Sequence, residues 1–537
     1  MKKQSFKKLM ALALASAMAI SMVACGGKDE PATNDTTTKT ETSTNSGTTE
    51  KAETPAEPTK VTFMTIDFNA GQSNVGDHAE EILSKVEDYT GVDLEIEWVL
   101  SDVLEEKTTL ALADPKTMPM VMTWNGTLTG NVVSAAKMGA FVDLSEYIYD
   151  EAKYPHLSKV LPSVASQLTV DGKLIALPRT RVIGRYGLCY RTDWAEKLGL
   201  AEPSTPEAVY DMLYAFTYDD PDGNGKDDTI GMEMTSYTGP FDIIQTWFGC
   251  GNGWAEVDGK LVPVHMQDEY FEALEYIKKI YDNGLMPADW AVRTTDTWSN
   301  GCKVGENGVF IDVMDSGKRI WNYFLAEETY TPSVVDPSTN ATMTLYGAVN
   351  GHTLANAGYN GYFTLSASTC DTPEKVEAVL TMFDKMCEDE MLILTQYGLE
   401  GINYEIDADG YLVDTDLEDA ALAANYMGLN QLLTFLPSAE YTPSPSVKQT
   451  EPNIAQAEAY AKALDYIVVN PAASYLVNSE TFADIGSTIN EYVTQARTQY
   501  ICGQITLDEL KAAHQRWLDE GGQAIIDEVN AQHAANK

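Results

Sequence analysis

The chain has 537 residues, 44% of them hydrophobic, and 36 Lys+Arg against 80 Asp+Glu give a net charge of −44. That length supports two or more domains with sizeable cores. The acidic surface repels phosphate backbones and anionic lipid alike, which argues against a nucleic-acid partner and leaves any membrane attachment to another source.

The N-terminus offers that source. "MKKQSFKK" is basic, and the apolar run behind it is shorter than the ~20 residues of a spanning helix, so residues 1–24 read as a secretion signal. The run ends in "MVAC" followed by "GG", which resembles a bacterial lipobox with Met22 in place of the favoured Leu. Cys25 is then the lipid-modified first residue of the mature chain, the alternative being an ordinary signal peptide that contains a cysteine. Residues 25–60 hold almost nothing apolar and read as a disordered tether.

From residue 61 the pattern alternates strand and helix. "VTFMTIDF" (61–68) is β-rich, "HAEEILSKVEDYTG" (78–91) has helical spacing, and "VDLEIEWV" (92–99) alternates apolar with acidic residues. "PMVMTWN" (119–125) is another strand. Strands alternating with helices imply a parallel sheet, whose ligands bind beyond the carboxyl ends of the strands. That rule points to Asp67, Asn69, Trp124 and Asn125.

"GKLIALPRT" (172–180) leads into a second region. There Thr205 caps a helix with Pro206 in its first turn, "DEYFEALEYIKKIYDNGL" (268–285) forms an amphipathic helix, and "KVGENGVFIDVMD" (303–315) holds a buried strand. "YNGYFTLSAS" and "TPEKVEAVLTMFDKMCED" make a further strand–helix pair, and the last hundred residues are mostly helical.

"DDPDGNGKDDTIG" (219–231) concentrates carboxylates in a tight turn. Counted from Asp220, oxygen donors fall at positions 1, 3, 5 and 9 as Asp220, Asp222, Asn224 and Asp228, with the Lys226 carbonyl at 7 and Gly225 at 6. This is calcium-loop spacing, because alternate residues of a tight loop turn their oxygens inward. Position 12 is Gly231 instead of the bidentate Glu, so Thr229 or a distant carboxylate has to complete the shell. An ion closed in by protein oxygens is structural. The alternative is a solvated polar turn; the kept odd-position pattern and the helix that ends immediately before the loop favour calcium.

Aromatics near strand ends, Trp124, Trp247 and Trp298 among them, are candidates to stack on the apolar C–H face of a sugar ring, although a tryptophan is also an ordinary core residue. "PRTRVIGRYGLCYR" concentrates four arginines, of which Arg179 or Arg181 would suit an acidic or phosphate-bearing ligand, or else a surface carboxylate. The six cysteines after Cys25 and the six histidines are scattered, with no CxxC or HExxH pattern. They fit one or two disulfides or buried thiols. No nucleophile elbow, phosphate loop or dinucleotide fingerprint occurs, so nothing asks for catalysis.

Six stretches together resemble the extracellular solute-binding proteins of family 1, the lipoproteins that deliver saccharides to ABC importers, and within it the alginate-oligosaccharide-binding and LplA-like branch. They are "DGKLIALP" (171–178), "YRTDWAEKLGL" (190–200), "DPDGNGKDDTIG" (220–231), "IKKIYDNGLM" (277–286), "YGLEGINYEIDADG" (397–410) and "WLDEGGQAIIDEVNAQ" (517–532). The resemblance implies an α/β, two-lobed, type 2 periplasmic-binding-protein-like fold with a hinge of crossing strands and a helical C-terminus. Residues 61–181 plus 346–440 would form lobe 1, and 182–345 plus 441–537 lobe 2 with the calcium loop.

It further implies a bound Ca²⁺ at Asp220, Asp222, Asn224, Lys226 and Asp228, ligand contacts from Glu400 and Tyr404, and a pocket-lining turn carrying Asp312 and Asp315. The implied protein is a monomer on the outer face of a bacterial membrane, not an enzyme, that closes on a saccharide and presents it to permease subunits. The rivals are a secreted polysaccharide-degrading enzyme and a calcium-braced adhesin, and peptide is the alternative cargo.

Overall fold

The computed structural model describes residues 58–295, 298–414, 420–434 and 448–535. The secretion signal, Cys25 and nearly all of the expected tether lie outside the described residues. The first strand begins before residue 61: Thr59 and Lys60 already pair with Val92 and Asp93.

The first lobe is built on five strands. β1 (Thr59–Asp67) lies parallel to β2 (Val92–Leu100) and to β3 (Val121–Trp124). Between β1 and β2 the helix Ala79–Thr90 turns Ile82 and Val86 fully inward and stops at Gly91, whose φ of +79° ends a helix at little cost only for glycine. β4 (Leu177–Thr180) closes the far edge of this sheet. A late strand, Tyr359–Leu365, inserts antiparallel between β3 and β4, giving a five-stranded mixed sheet. One continuous core, from Val61 through Leu177 and again from Tyr359 to Leu433, covers it.

The second lobe has four strands in the order β8-β5-β7-β6: β8 (Met343–Tyr346), β5 (Tyr186–Arg191), β7 (Asn307–Val313) and β6 (Ile230–Met232). β7 runs antiparallel to β5 and parallel to β6. Thr205 caps the helix Pro206–Tyr218 by accepting from the Ala208 amide, as its sequence predicts. Residues just beyond 346 stay with this lobe: Val349 is buried in its core, and Thr353 Oγ1 donates to the Tyr186 carbonyl. The chain thus returns to the first lobe about ten residues later than the expected boundary, because the stretch after β8 packs on the second lobe through Val349 and Thr353.

The lobes are joined by residues 181–185 and 347–358, which brace each other: Arg181 N donates to the Gly358 carbonyl and Asn356 N to Ile183. β9 (Thr353–Leu354), inside the second connection, pairs parallel with Ile467–Val468, and Asn252 Nδ2 donates to the carbonyls of both Ala355 and Val468. At Gly358, with φ +84°, a Cβ would lie 2.5 Å from Val164, so close packing reserves this connection for glycine.

The helical C-terminus packs on the second lobe, with Ala496, Tyr500, Ile501 and Leu510 in the same core as β5 and β7. Thr506 and Glu509 form a capping box at the start of the helix Leu507–Trp517. Among the described residues all six cysteines are free thiols and five are buried, which resolves the disulfide alternative.

His265 and His514 meet in this interior with ring centroids 5.1 Å apart, 7% and 4% exposed. Burial pushes His265 down to about 3, with His514 adding to it, and burial pushes His514 down to about 4. Between those values and about 6.5 the unfolded chain binds protons that the folded chain refuses, so stability falls as pH drops through that window. In melts at stepped pH, His514→Phe should lose less Tm between pH 6.5 and 4 than the natural chain does.

Candidate functional site

The crossing segments show which sheet ends border the cleft. The chain leaves the first sheet at Thr180, which pairs with Tyr359, and enters the second at Tyr186, which pairs with Val313. Asp312, opposite Gly187, therefore sits at the cleft end of the second sheet, while the ends of β1 and β3 and the Thr180 end of β4 border it from the first.

Asp312 is 7% exposed and accepts the Trp298 indole N–H at 3.0 Å on Oδ2 and the Tyr237 hydroxyl at 3.5 Å on Oδ1. The Tyr237 ring stands edge-on to Trp298 at 5.7 Å, and Trp298 backs onto Phe310 at 4.6 Å. Trp298 is half-buried and Tyr237 39% exposed, so both keep an open surface. Burial raises the Asp312 carboxyl above its ordinary range, although its hydrogen-bond donors pull the other way. A fixed indole, a phenol and a desolvated carboxylate in contact offer a stacking face beside hydrogen-bonding groups, which suits a polyhydroxylated ring.

Asp315 is engaged differently. Arg185 donates to its Oδ2 from Nε at 3.2 Å and Nη2 at 2.8 Å, and Tyr460, itself receiving Gln456 Nε2, donates to the same oxygen at 2.5 Å. Burial alone would raise this carboxyl; Arg185 and the Tyr460 hydroxyl outweigh it and hold it low. The pair ties the crossing segment 181–185 to the second lobe.

Other sequence candidates divide. Asp67 is 3% exposed and consumed locally, accepting from Asn69 N, Gly71 N and Ser73 Oγ at 2.6–2.8 Å. Asn69 shapes the same loop through Ser73 but stays part-exposed at the cleft edge, as does the exposed Asn125. Arg181 donates to the Thr180 carbonyl at the start of the first connection.

The structure corrects two tryptophans. Trp247 is 1% exposed, in the second core, because its helix Gly239–Trp247 turns that face to β7. Trp124 is 6% exposed, stacked on Tyr362 with its indole N–H on Thr364, so it is part of the first lobe's interior. Glu400 and Tyr404 also lie apart from Asp312. They line a groove of about 520 Å³ on the first lobe with Lys85, Asp88 and Tyr89, from the trailing half of a helix whose other end is nearer the cleft. Tyr237, not among the sequence candidates, joins Asp312 and Trp298; its signal is its place just after β6, where the strand-end rule applies equally.

In the 219–231 loop residues 223–228 are exposed, and the loop is turned on itself. Asn224 Nδ2 reaches Asp222 Oδ2 at 2.7 Å and Asp228 Oδ1 at 3.0 Å, while Asp220 receives Gly225 N and Lys226 N binds Asn224 Oδ1. Asp220 itself has φ +49°. The Thr229 hydroxyl is turned away from the loop: the residue is 5% exposed and donates inward to the Phe216 carbonyl. Among the described residues no group of three or more His, Cys, Asp or Glu stands ready to hold a metal. It is the Asn224 amide nitrogen that meets the Asp222 and Asp228 carboxylates, while its oxygen accepts from Lys226 N. The carboxylates are hard oxygens of the kind calcium takes, and the amide would have to turn its oxygen inward to join them.

Comparison with known proteins accords with this architecture. Residues 72–301 match the family described as bacterial extracellular solute-binding protein. Lipoprotein LipO of Bacillus subtilis is 30% identical over 464 residues, 85% of this chain and 89% of that one. The polygalacturonan/rhamnogalacturonan-binding protein YtcQ of the same organism is 27% identical over 84% of this chain and 87% of its own. Among solved structures, a solute-binding protein of Bifidobacterium longum infantis that binds HMO superposes with a TM-score of 0.64 at 20% identity, covering 89% of this chain and 98% of that one. The S. pneumoniae substrate-binding protein FusA, as an EF-hand mutant with fructo-nystose, does so at 0.60 and 19% identity, covering 89% and 100%. The chain belongs to the bacterial extracellular solute-binding proteins and has their two-lobed α/β fold.

Proposed function

We propose that this protein captures an oligosaccharide between its lobes and hands it to the permease of an ABC importer, as a monomer held at the outer membrane face through Cys25. The Trp298–Tyr237–Asp312 group carries this reading, since it combines a stacking face with a desolvated acceptor at a cleft-facing sheet end. Ligand contacts to both lobes exist only when the lobes shut, so binding selects the closed state. YtcQ and FusA, named for polygalacturonan/rhamnogalacturonan and fructooligosaccharide, support a saccharide cargo, and LipO, named a lipoprotein, supports the anchor.

A thermal-shift panel of neutral and uronic-acid oligosaccharides at fixed calcium tests the reading. A binder at ~100 times its Kd should add about 2.7 kcal/mol and raise Tm, and X-ray scattering should record a smaller radius of gyration with that binder. A folded protein silent to every glycan would end the saccharide reading.

Calcium is proposed as a structural ion in the 220–228 loop, supported by the spacing of Asp220, Asp222, Asn224, Lys226 and Asp228, each of which has an oxygen to offer, and by the EF-hand named for FusA. The ion would stiffen the turn that joins the helix Pro206–Tyr218 to β6. Chelation is expected to lower Tm by the equivalent of about 2–3 kcal/mol at millimolar calcium if Kd is near 10 μM. Asp222→Ala should abolish that response without changing glycan selectivity.

A further inference from the structure

Four arginines fall between residues 179 and 191, and the structure treats Arg179 unlike Arg185 and Arg191. Arg185 is paired with Asp315 and Arg191 with Asp193. Arg179 is 2% exposed, yet among the described residues its guanidinium has only a neutral hydrogen-bond partner: Nη2 donates to the Gln431 side-chain oxygen and Nε finds no acceptor. Its Cζ lies 5.9 Å from the centre of the Phe363 ring.

Among the described residues no carboxylate stands against this buried cation. Burying an unpaired charge is costly, and a glutamate at 431 would relieve it with no change of size. The location is equally specific. Arg179 precedes Thr180, the residue from which the chain leaves for the second lobe, and it faces the irregular step in the pairing between Tyr359 and Tyr362. Gly361 in that step has φ +85°, and a Cβ there would stand 2.5 Å from the Trp124 carbonyl and 3.2 Å from Arg179 Nη1, so the strand packing that requires glycine also leaves the guanidinium uncrowded on this side. Arg181, two residues on, adds a second positive charge nearby.

We propose that Arg179 is held ready for a carboxylate carried by the cargo, which displaces the Gln431 amide, and that the cargo is therefore an acidic, uronate-bearing oligosaccharide. The proposal rests on the saccharide reading above. A guanidinium accepts a carboxylate through two parallel N–H bonds, a geometry that a neutral hydroxyl cannot match.

The test is calorimetric titration of the purified protein, at fixed calcium, with trimers of galacturonate, glucuronate and mannuronate. Each trimer is paired with its methyl ester, and a set of neutral oligosaccharides is titrated alongside. One uronate should bind at least ~30-fold more tightly than its ester, with an affinity that falls as salt rises. Arg179→Gln should remove that preference. Because this variant could also disturb the sheet, Gln431→Glu is the sharper one. It supplies an internal counter-charge, so it should raise Tm and weaken the uronate at least tenfold. An ester that binds as well as its acid, a neutral glycan that binds while no uronate does, or unchanged uronate affinity in Gln431→Glu would each overturn the acidic cargo and leave the saccharide reading standing. No binding by any uronate or neutral glycan would overturn both.

Discussion

Replacing Asp193 by alanine should destabilise the second lobe by about 3–5 kcal/mol, the largest loss foreseen for a single side chain here. Asp193 and Arg191 are 3% exposed each and form a two-bond fork, Nε to Oδ1 and Nη2 to Oδ2, both at 2.9 Å. Asp193 Oδ2 also accepts the Val334 amide at 3.0 Å, fixing the loop before β8. The guanidinium lies between two rings, with its Cζ 4.9 Å from the centre of Trp194 and 5.0 Å from that of Phe324. The cost is high because the arginine left behind is a buried cation with no counter-charge, and the Val334 amide loses its acceptor. For a folded unit of about 480 residues that melts as one, this is a fall in Tm of roughly 4 °C, and more if the second lobe melts alone. Removing both charges, as Arg191→Met with Asp193→Leu, should recover much of the loss, since an apolar pair of similar volume needs no counter-ion. A double variant no more stable than Asp193→Ala would mean that the fork itself stabilises the lobe, beyond avoiding an orphaned charge.

Local chemistry explains how much of this could be read beforehand. Thr205 with Pro206, Gly91 after a helical stripe, and the alternation in 92–99 are decided by neighbours in sequence, so those elements lie where the residues point. The late strand Tyr359–Leu365 is different. Its apolar run says strand, but nothing local says that it enters the first sheet antiparallel between β3 and β4, about 180 residues after β4. The tryptophans make the same point about the site. Trp247 and Trp298 both stand among polar and small residues, and only the facing helix and sheet decide that one is core and the other a cleft face. The contrast between Arg179 and Arg191 is also tertiary, since Gln431 lies some 250 residues from its partner.

Those two tryptophans supply the most direct functional contrast. Trp298→Ala is expected to weaken oligosaccharide binding by about 2 kcal/mol, roughly 30-fold, as removal of a central aromatic anchor does. The indole is held from behind by Phe310 and at its N–H by Asp312, so its open face is presented without rotamer cost, and the alanine leaves both the stacking surface and the orientation of Asp312 undone. Tyr237, edge-on to the same ring, should show a smaller loss as Tyr237→Ala, because its hydroxyl contact to Asp312 is long at 3.5 Å. Trp247→Phe, in the second core, should do the reverse: lower Tm with Kd for the same oligosaccharide unchanged. Titration and melting of both variants separate the two roles. Equal affinity losses in Trp298→Ala and Trp247→Phe would mean that binding responds to lobe stability in general, and the face formed by Trp298, Tyr237 and Asp312 would no longer stand as the contact surface.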